Sequence, residues 1–203
     1  MEESHFQSGQ RPHALIFDCD GTLADTMPLH WQAWQLITRK YRIEFPEDRF
    51  YSLGGVPTRD ILRMLAGEQR RPDLDPLMAA KEKEEAYLKL LPQVGPVKEV
   101  VAIASEHRGR LPMAVASGGS ERSIGRVLNH LGIHDWFQAV VTNEAVQRQK
   151  PAPDIFLEAA RRLGVAPRFC RAYEDTDLGM QAIRSAGMDA VDVRLLRGMP
   201  LRG

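Results

Sequence analysis

Five short apolar runs punctuate the chain, and amphipathic stretches fill most of the gaps between them. The first run, residues 13–17 (His-Ala-Leu-Ile-Phe), leads into a polar cluster, Asp18-Cys19-Asp20-Gly21-Thr22. That pattern predicts a buried strand running into a turn. Similar runs cover 113–116, 139–142, 170–173 and 188–193. Segments 97–107, 120–131, 153–163 and 176–186 carry apolar residues at helical spacing, as in Ile124, Val127, Leu128 and Leu131. Gly132, Gly164 and Gly187 stand where those helices should stop. Strands alternating with helices of this length predict an α/β fold, a doubly wound parallel sheet with helices on both faces.

Residues 28–92 break the rhythm. No strand is predicted there, but three helical stretches are, at about 29–41, 58–66 and 75–91. The last is strongly charged, with Lys81, Glu82, Lys83, Glu84 and Glu85 in succession, and Pro92 and Gly95-Pro96 close the segment. A helical module inserted directly after the first strand accounts for this. Residues 1–11 then read as an N-terminal tail, 12–27 and 93–203 as one core, and 28–92 as the insertion. Trp31 and Trp34 read as the hydrophobic centre of that insertion.

Composition narrows the function without naming it. The 203 residues carry 27 Lys+Arg against 27 Asp+Glu, and mean hydropathy is −0.33. With no net charge, there is no global basic field to draw in nucleic acid or an anionic membrane. Two isolated cysteines, Cys19 and Cys170, make neither a disulfide framework nor a metal cage. No apolar stretch has the length of a membrane span, and the polar first twelve residues lack the centre of a signal peptide. The expectation is a cytoplasmic protein with no nucleic-acid or membrane partner.

Candidate chemistry gathers at the ends of the predicted strands, where open parallel sheets bind ligands. Asp18 and Asp20 are two apart in an extended segment and can face one site; read alone, Asp20-Gly21 is equally ordinary turn chemistry. Ser117-Gly118-Gly119 lies between a strand and a helix start, where backbone N–H groups can cradle phosphate. Lys150 follows the third strand, and Glu174-Asp175 follow the fourth. A second carboxylate pair there suits Mg²⁺, which takes oxygen ligands. Any one of these features is commonplace; four of them, each at a strand end, are not.

Taken together, the segments DCDGTLADT, VASGG, KPAPDIF and YEDTDLGMQAIRSAGM resemble, in order, the motifs of the haloacid dehalogenase superfamily. The resemblance runs from about residue 13 to 194, and within the superfamily the chain is similar to the β-phosphoglucomutase-like branch. The stretch after Glu174 is especially similar to bacterial fructose-1-phosphate and 6-phosphogluconate phosphatases. The resemblance implies a Rossmann-like core with an α-helical cap, and a Mg²⁺-dependent phosphatase of small sugar phosphates. It assigns Asp18 as nucleophile and Asp20 as general acid and base. Ser117, Gly118 and Lys150 would bind the phosphate. Asp18, the Asp20 carbonyl, Glu174 and Asp175 would hold the metal. In the cap, His30, Arg59 and Lys83 would meet the sugar, and the chain would work as a monomer or weak dimer. One departure is Thr176-Asp177, where many relatives have Ser and a small residue; Asp177 is then either a supporting acid near the metal or part of a helix start.

Three other readings compete. A β-phosphoglucomutase would share every motif. A Rossmann-type nucleotide-binding module would need G-x-G-x-x-G or G-x-x-x-x-G-K-[ST] after the first strand, and neither occurs. A catalytically silent interaction protein would have no need to keep all the chemical residues in place.

Overall fold

In the first strand, β1 (Ala14–Phe17), alternate side chains decide the two sides of the molecule. Leu15 and Phe17 pack into one hydrophobic cluster with Val100, Ala104, Ile124 and Val127. Ala14 and Ile16 pack into another with Ile155, Phe156, Met180 and Ile183. A strand buried on both faces needs a continuous apolar run, which is what 14–17 supplies. The computed structural model describes residues 11–198. The expected tail therefore lies almost wholly outside the described residues, as do the last five positions of the core.

The other strands are β2 (Met113–Ala116), β3 (Ala139–Val141), β4 (Cys170–Glu174) and β5 (Asp189–Asp192). They form one parallel sheet in the order β3-β2-β1-β4-β5, with β1 in the centre. Helices α5 (Lys98–His107) and α6 (Glu121–His130) supply the first cluster, and α7 (Asp154–Leu163) and α8 (Asp177–Ser185) the second. Gly132, Gly164 and Gly187 follow α6, α7 and α8 with φ of 68°, 68° and 70°, the left-handed geometry that ends a helix cheaply. The predicted strand at 188–193 is shorter than expected. Asp192 caps a short helix, α9 (Val193–Leu196), by accepting from the Arg194 N–H at 3.0 Å, so the chain turns helical at Val193.

Between β1 and α5 the chain forms four α-helices rather than the three expected: α1 (Met27–Tyr41), α2 (Glu47–Ser52), α3 (Thr58–Glu68) and α4 (Pro76–Leu90). The extra one, α2, is six residues long, too short for its pattern to register as a period. It contributes Phe50 to a separate hydrophobic cluster that includes Trp34, Ile37, Phe45, Ile61, Leu62 and Leu65. Trp34 is buried there, and Trp31 stacks on Phe50 with ring centroids 5.4 Å apart. The bases of α1 and α4 join the sheet's own cluster through Leu29, Ala33 and Tyr87, so the cap is rooted in the core. No helix among the described residues is long and apolar enough to cross a membrane.

Candidate active site

Strand register creates the site. Phe17 pairs with Tyr173 across β1 and β4, so the next residues on each strand, Asp18 and Glu174, emerge side by side. The Asp18 N–H continues the ladder by donating to the Tyr173 carbonyl at 3.0 Å. On the other flank, Phe17 pairs with Val115, which brings Ser117 to the same edge. Beyond Asp18 the chain folds back at once: the Cys19 carbonyl accepts from the N–H groups of Thr22, Leu23 and Ala24. Gly21, at φ 82°, lies so close to Asp175 that a Cβ there would stand 2.1 Å from its Oδ2. Only glycine permits that turn against that carboxylate.

Lys150 is the buried centre of the charge. Its Nζ donates to Asp18 Oδ1 at 2.6 Å and to Glu174 Oε2 at 2.7 Å. Burial alone would lower the lysine's pKa, but the Asp18 and Glu174 carboxylates outweigh it and hold the pKa above its ordinary value. Asp18, Glu174 and Asp175 each offer an oxygen, and these atoms lie within 4.8 Å of one another. Burial, with Glu174 close by, pushes Asp175 up to about 8. Asp18 is raised for the same two reasons, with Lys150 opposing. One lysine does not neutralise three carboxylates. An all-oxygen donor set with surplus negative charge fits a hard divalent cation such as Mg²⁺.

Asp20 faces the cap. Its Oδ1 accepts from the Thr26 hydroxyl at 2.7 Å and lies 3.4 Å from His30 Nε2. Burial pushes its pKa up, but the His30 and Thr26 hydrogen bonds and the Lys83 charge prevail and leave it below its ordinary value. Lys83 Nζ lies 2.7 Å from His30 Nδ1 and donates there, which makes Nε2 the proton-bearing nitrogen turned to Asp20. Burial brings Lys83 down to about 8, and burial together with Lys83 lowers His30. Tyr87 stacks on the His30 ring at 3.9 Å and fixes its plane. Lys83, expected from the resemblance to meet the sugar, is buried although it stands in the charged run of α4.

Around these groups lies a cavity of ≈ 170 Å³ bounded by Asp18, Asp20, Ser117, Gly118, Lys150 and Glu174 below and by the cap above. Ser117 is buried, and its Oγ accepts from the Gly119 N–H at 3.1 Å, which curls the loop into a cradle. The cavity continues past Asp20, His30 and Lys83 into an outer cleft of ≈ 830 Å³. Arg59 is the outlier among the expected residues. It borders only the outer cleft, its side chain is 55% exposed, and its Nε lies 3.6 Å from Asp60.

Several supporting residues escaped sequence reasoning. Thr22 donates to Asp175 Oδ1 at 3.1 Å. Thr176 donates to Glu174 Oε1 at 2.8 Å while its oxygen accepts from the Gly179 N–H, capping α8. For Thr176 the available signal was a carboxylate two residues earlier, since such side chains bond locally; Thr22, whose partner lies 153 residues along the chain, gave none. Asp177 resolves as a surface residue at the helix start, 76% exposed and paired with Arg194 at 2.7 Å.

The profile of the family described as haloacid dehalogenase-like hydrolase matches residues 15–193. The chain belongs to that family and is a hydrolase. It is 45% identical over 188 residues to the fructose-1-phosphate phosphatase YqaB of Escherichia coli, covering 92% of this chain and 99% of that one. It is 32% identical to the β-phosphoglucomutase of Bacillus subtilis, over 94% of this chain and 86% of the other. The crystal structure of a β-phosphoglucomutase from Clostridium difficile superposes with a TM-score of 0.80 at 27% identity, covering 89% and 84%.

Proposed function

We propose that the chain is a Mg²⁺-dependent phosphatase of small sugar phosphates of the fructose 1-phosphate type, acting through a phosphorylated Asp18. The observation that carries this reading is Lys150, buried between Asp18 and Glu174 at 2.6 and 2.7 Å beside the Ser117 cradle. Asp18 Oδ attacks phosphorus, and the bond from phosphorus to the sugar oxygen breaks. Asp20, in its protonated form, gives its proton to that oxygen and the alcohol leaves. Asp20, now a carboxylate, then takes a proton from water as the water attacks the aspartyl-phosphate, releasing inorganic phosphate, freeing the Asp18 carboxylate and returning Asp20 to its protonated form. The low pKa of Asp20 in the free protein suits the second half; the dianionic substrate nearby favours its protonation for the first.

Two anions meet in the first step, and unit charges ~4 Å apart repel by about 1 kcal/mol in water and about 4 kcal/mol near a protein surface. Lys150, the Ser117 hydroxyl and the Gly118 N–H oppose that repulsion, since the Ser117 N–H is spent on the Val141 carbonyl and the Gly119 N–H on Ser117 Oγ. The metal, held by Asp18, Glu174, Asp175 and the Asp20 carbonyl, would supply further positive charge to the phosphoryl oxygens. The cap segment 28–92 excludes water and orients the sugar through His30, Lys83 and Arg59.

The identity to a phosphatase favours hydrolysis over phosphoryl transfer to a second sugar. Inorganic phosphate release should be measured with fructose 1-phosphate, 6-phosphogluconate and β-glucose 1-phosphate, the last with and without glucose 1,6-bisphosphate. Catalytic phosphate release without a bisphosphate is expected. Rapid conversion of β-glucose 1-phosphate to glucose 6-phosphate with little phosphate released would instead establish a mutase.

A further inference from the structure

The outer cleft has two unlike walls. On the core side Asp20 stands at its inner end, and the wall beyond is formed by Gly118, Gly119, Ser120, Asn143 and Gln149, none of them charged. Asn143 Nδ2 donates to the Gly118 carbonyl at 3.1 Å, and Gln149 Nε2 to the Asn143 carbonyl at 3.1 Å. Each amide is thereby fixed, with an oxygen and one N–H to spare. Groups that both donate and accept match sugar hydroxyls, which do the same.

Facing that wall from α4 is Glu84, whose carboxylate accepts from the Ser120 hydroxyl. Ser120 is itself immobilised as the N-cap of α6, accepting from the Ser123 N–H at 3.2 Å. The amino end of α6 would otherwise attract an anion. It is already served by Ser120 and by Glu144, which accepts from the Glu121 N–H at 3.1 Å. The cations of the cleft stand elsewhere: Lys83 is committed to His30, and Arg59 and Lys81 are exposed residues of the cap.

We propose that Glu84, anchored on Ser120, is a specificity-determining residue that makes this enzyme select monophosphates whose far end carries only hydroxyls. A second phosphate or a carboxylate at that end would meet a fixed negative charge and neutral amides, while the buried cation among the described lining residues, Lys83, is already engaged with His30. Discrimination comes from an element placed against the wrong ligand. It rests on the sugar-phosphatase reading and sharpens it, and it also disfavours the bisphosphate that a mutase must hold between its two half-reactions.

The test compares kcat/KM for fructose 1-phosphate and fructose 1,6-bisphosphate, which differ by one phosphate, at equal ionic strength. p-Nitrophenyl phosphate serves as a sugar-free reference. Like charges facing each other within a cleft support a preference for the monophosphate on the order of tenfold or more. Glu84→Gln keeps an acceptor for Ser120 and removes the charge, so the ratio should shrink several-fold, roughly as the like-charge repulsion is lost. Glu84→Lys should reverse it. Equal turnover of both sugars by the native chain, or an unchanged ratio in Glu84→Gln, overturns the assignment of Glu84 alone. Turnover of p-nitrophenyl phosphate with neither sugar accepted overturns the sugar-phosphatase reading beneath it.

Discussion

Metal-free protein should be held back by its own acidic cluster, and Asp175 is the place to measure this. Its pKa rises from 3.8 to about 8 on folding, because burial and Glu174 disfavour the charged form. A group raised in the folded state contributes stability that is complete below its unfolded pKa and lost as pH climbs through the folded one. The window therefore runs from about pH 4 to about pH 8, and a shift of about 4 units corresponds to at most roughly 6 kcal/mol. Asp175→Asn keeps an oxygen to accept from Thr22 and abolishes the titration, so at about pH 8 it should stabilise the metal-free fold by some kilocalories. Mg²⁺ should produce the same relief in the native chain: at about 100 times its Kd, binding adds ~2.7 kcal/mol. For a chain of this size that is a rise in Tm of roughly 5–10 °C. The assay is thermal unfolding of the native and Asp175→Asn chains, with Mg²⁺ or with sodium chloride of equal ionic strength, across that pH range. The native response to Mg²⁺ should shrink toward acid pH, where protons compete for the same oxygens, and the variant should respond little throughout. Equal response to Mg²⁺ in both chains, or a metal-free native fold most stable near pH 8 relative to the variant, would refute the reasoning.

Asp18→Asn keeps the shape and removes the attacking charge, so phosphate release should collapse while the far-ultraviolet circular dichroism stays native. Asp20→Asn should cost on the order of 10²–10⁴ in turnover, since proton transfer to the sugar oxygen is lost; retention of ordinary turnover would remove it from that role. Lys150→Met leaves buried carboxylates without their cation and should lower unfolding free energy by about 3–5 kcal/mol, read by urea denaturation. His30→Ala and Arg59→Ala should damage kcat/KM for fructose 1-phosphate more than for an aryl phosphate, because remote contacts orient the sugar. Equal losses on both substrates would show that these residues support the fold instead.

The sheet was legible because its strands are apolar on both faces and its helices are amphipathic, as in 13–17 and 120–131. The chemical residues were legible because motif and strand end coincide, so that Asp18, Ser117, Lys150 and Glu174 could each be placed without knowing the neighbours. What was hidden depends on contacts distant in sequence. Lys83 was named through the resemblance, but nothing in the charged run Lys81–Glu85 signals its burial; packing against α1 is what sets it beside His30, 53 residues earlier. Glu84 gave no signal at all, because its partner Ser120 lies 36 residues away across the cap–core boundary. Helix α2 was missed because one and a half turns cannot display a period.

Clearance between cap and core is set by side chains that are not there. A Cβ on Gly54 would come within 3.1 Å of Thr176 Cγ2, and one on Gly55, where φ is 86°, within 3.3 Å of Thr176 Oγ1. Thr176 is the residue that aims Glu174 and starts α8. The two glycines thus act as a machined gap: the helical segment sits against the bracket that holds the Glu174 carboxylate. A single methyl group in that gap would be a wedge, pressing at one point on both the seat of the helical segment and the direction of Glu174. The seating of the helices and the aim of Glu174 share one mechanical stop, so in this fold neither tolerance can be loosened without the other.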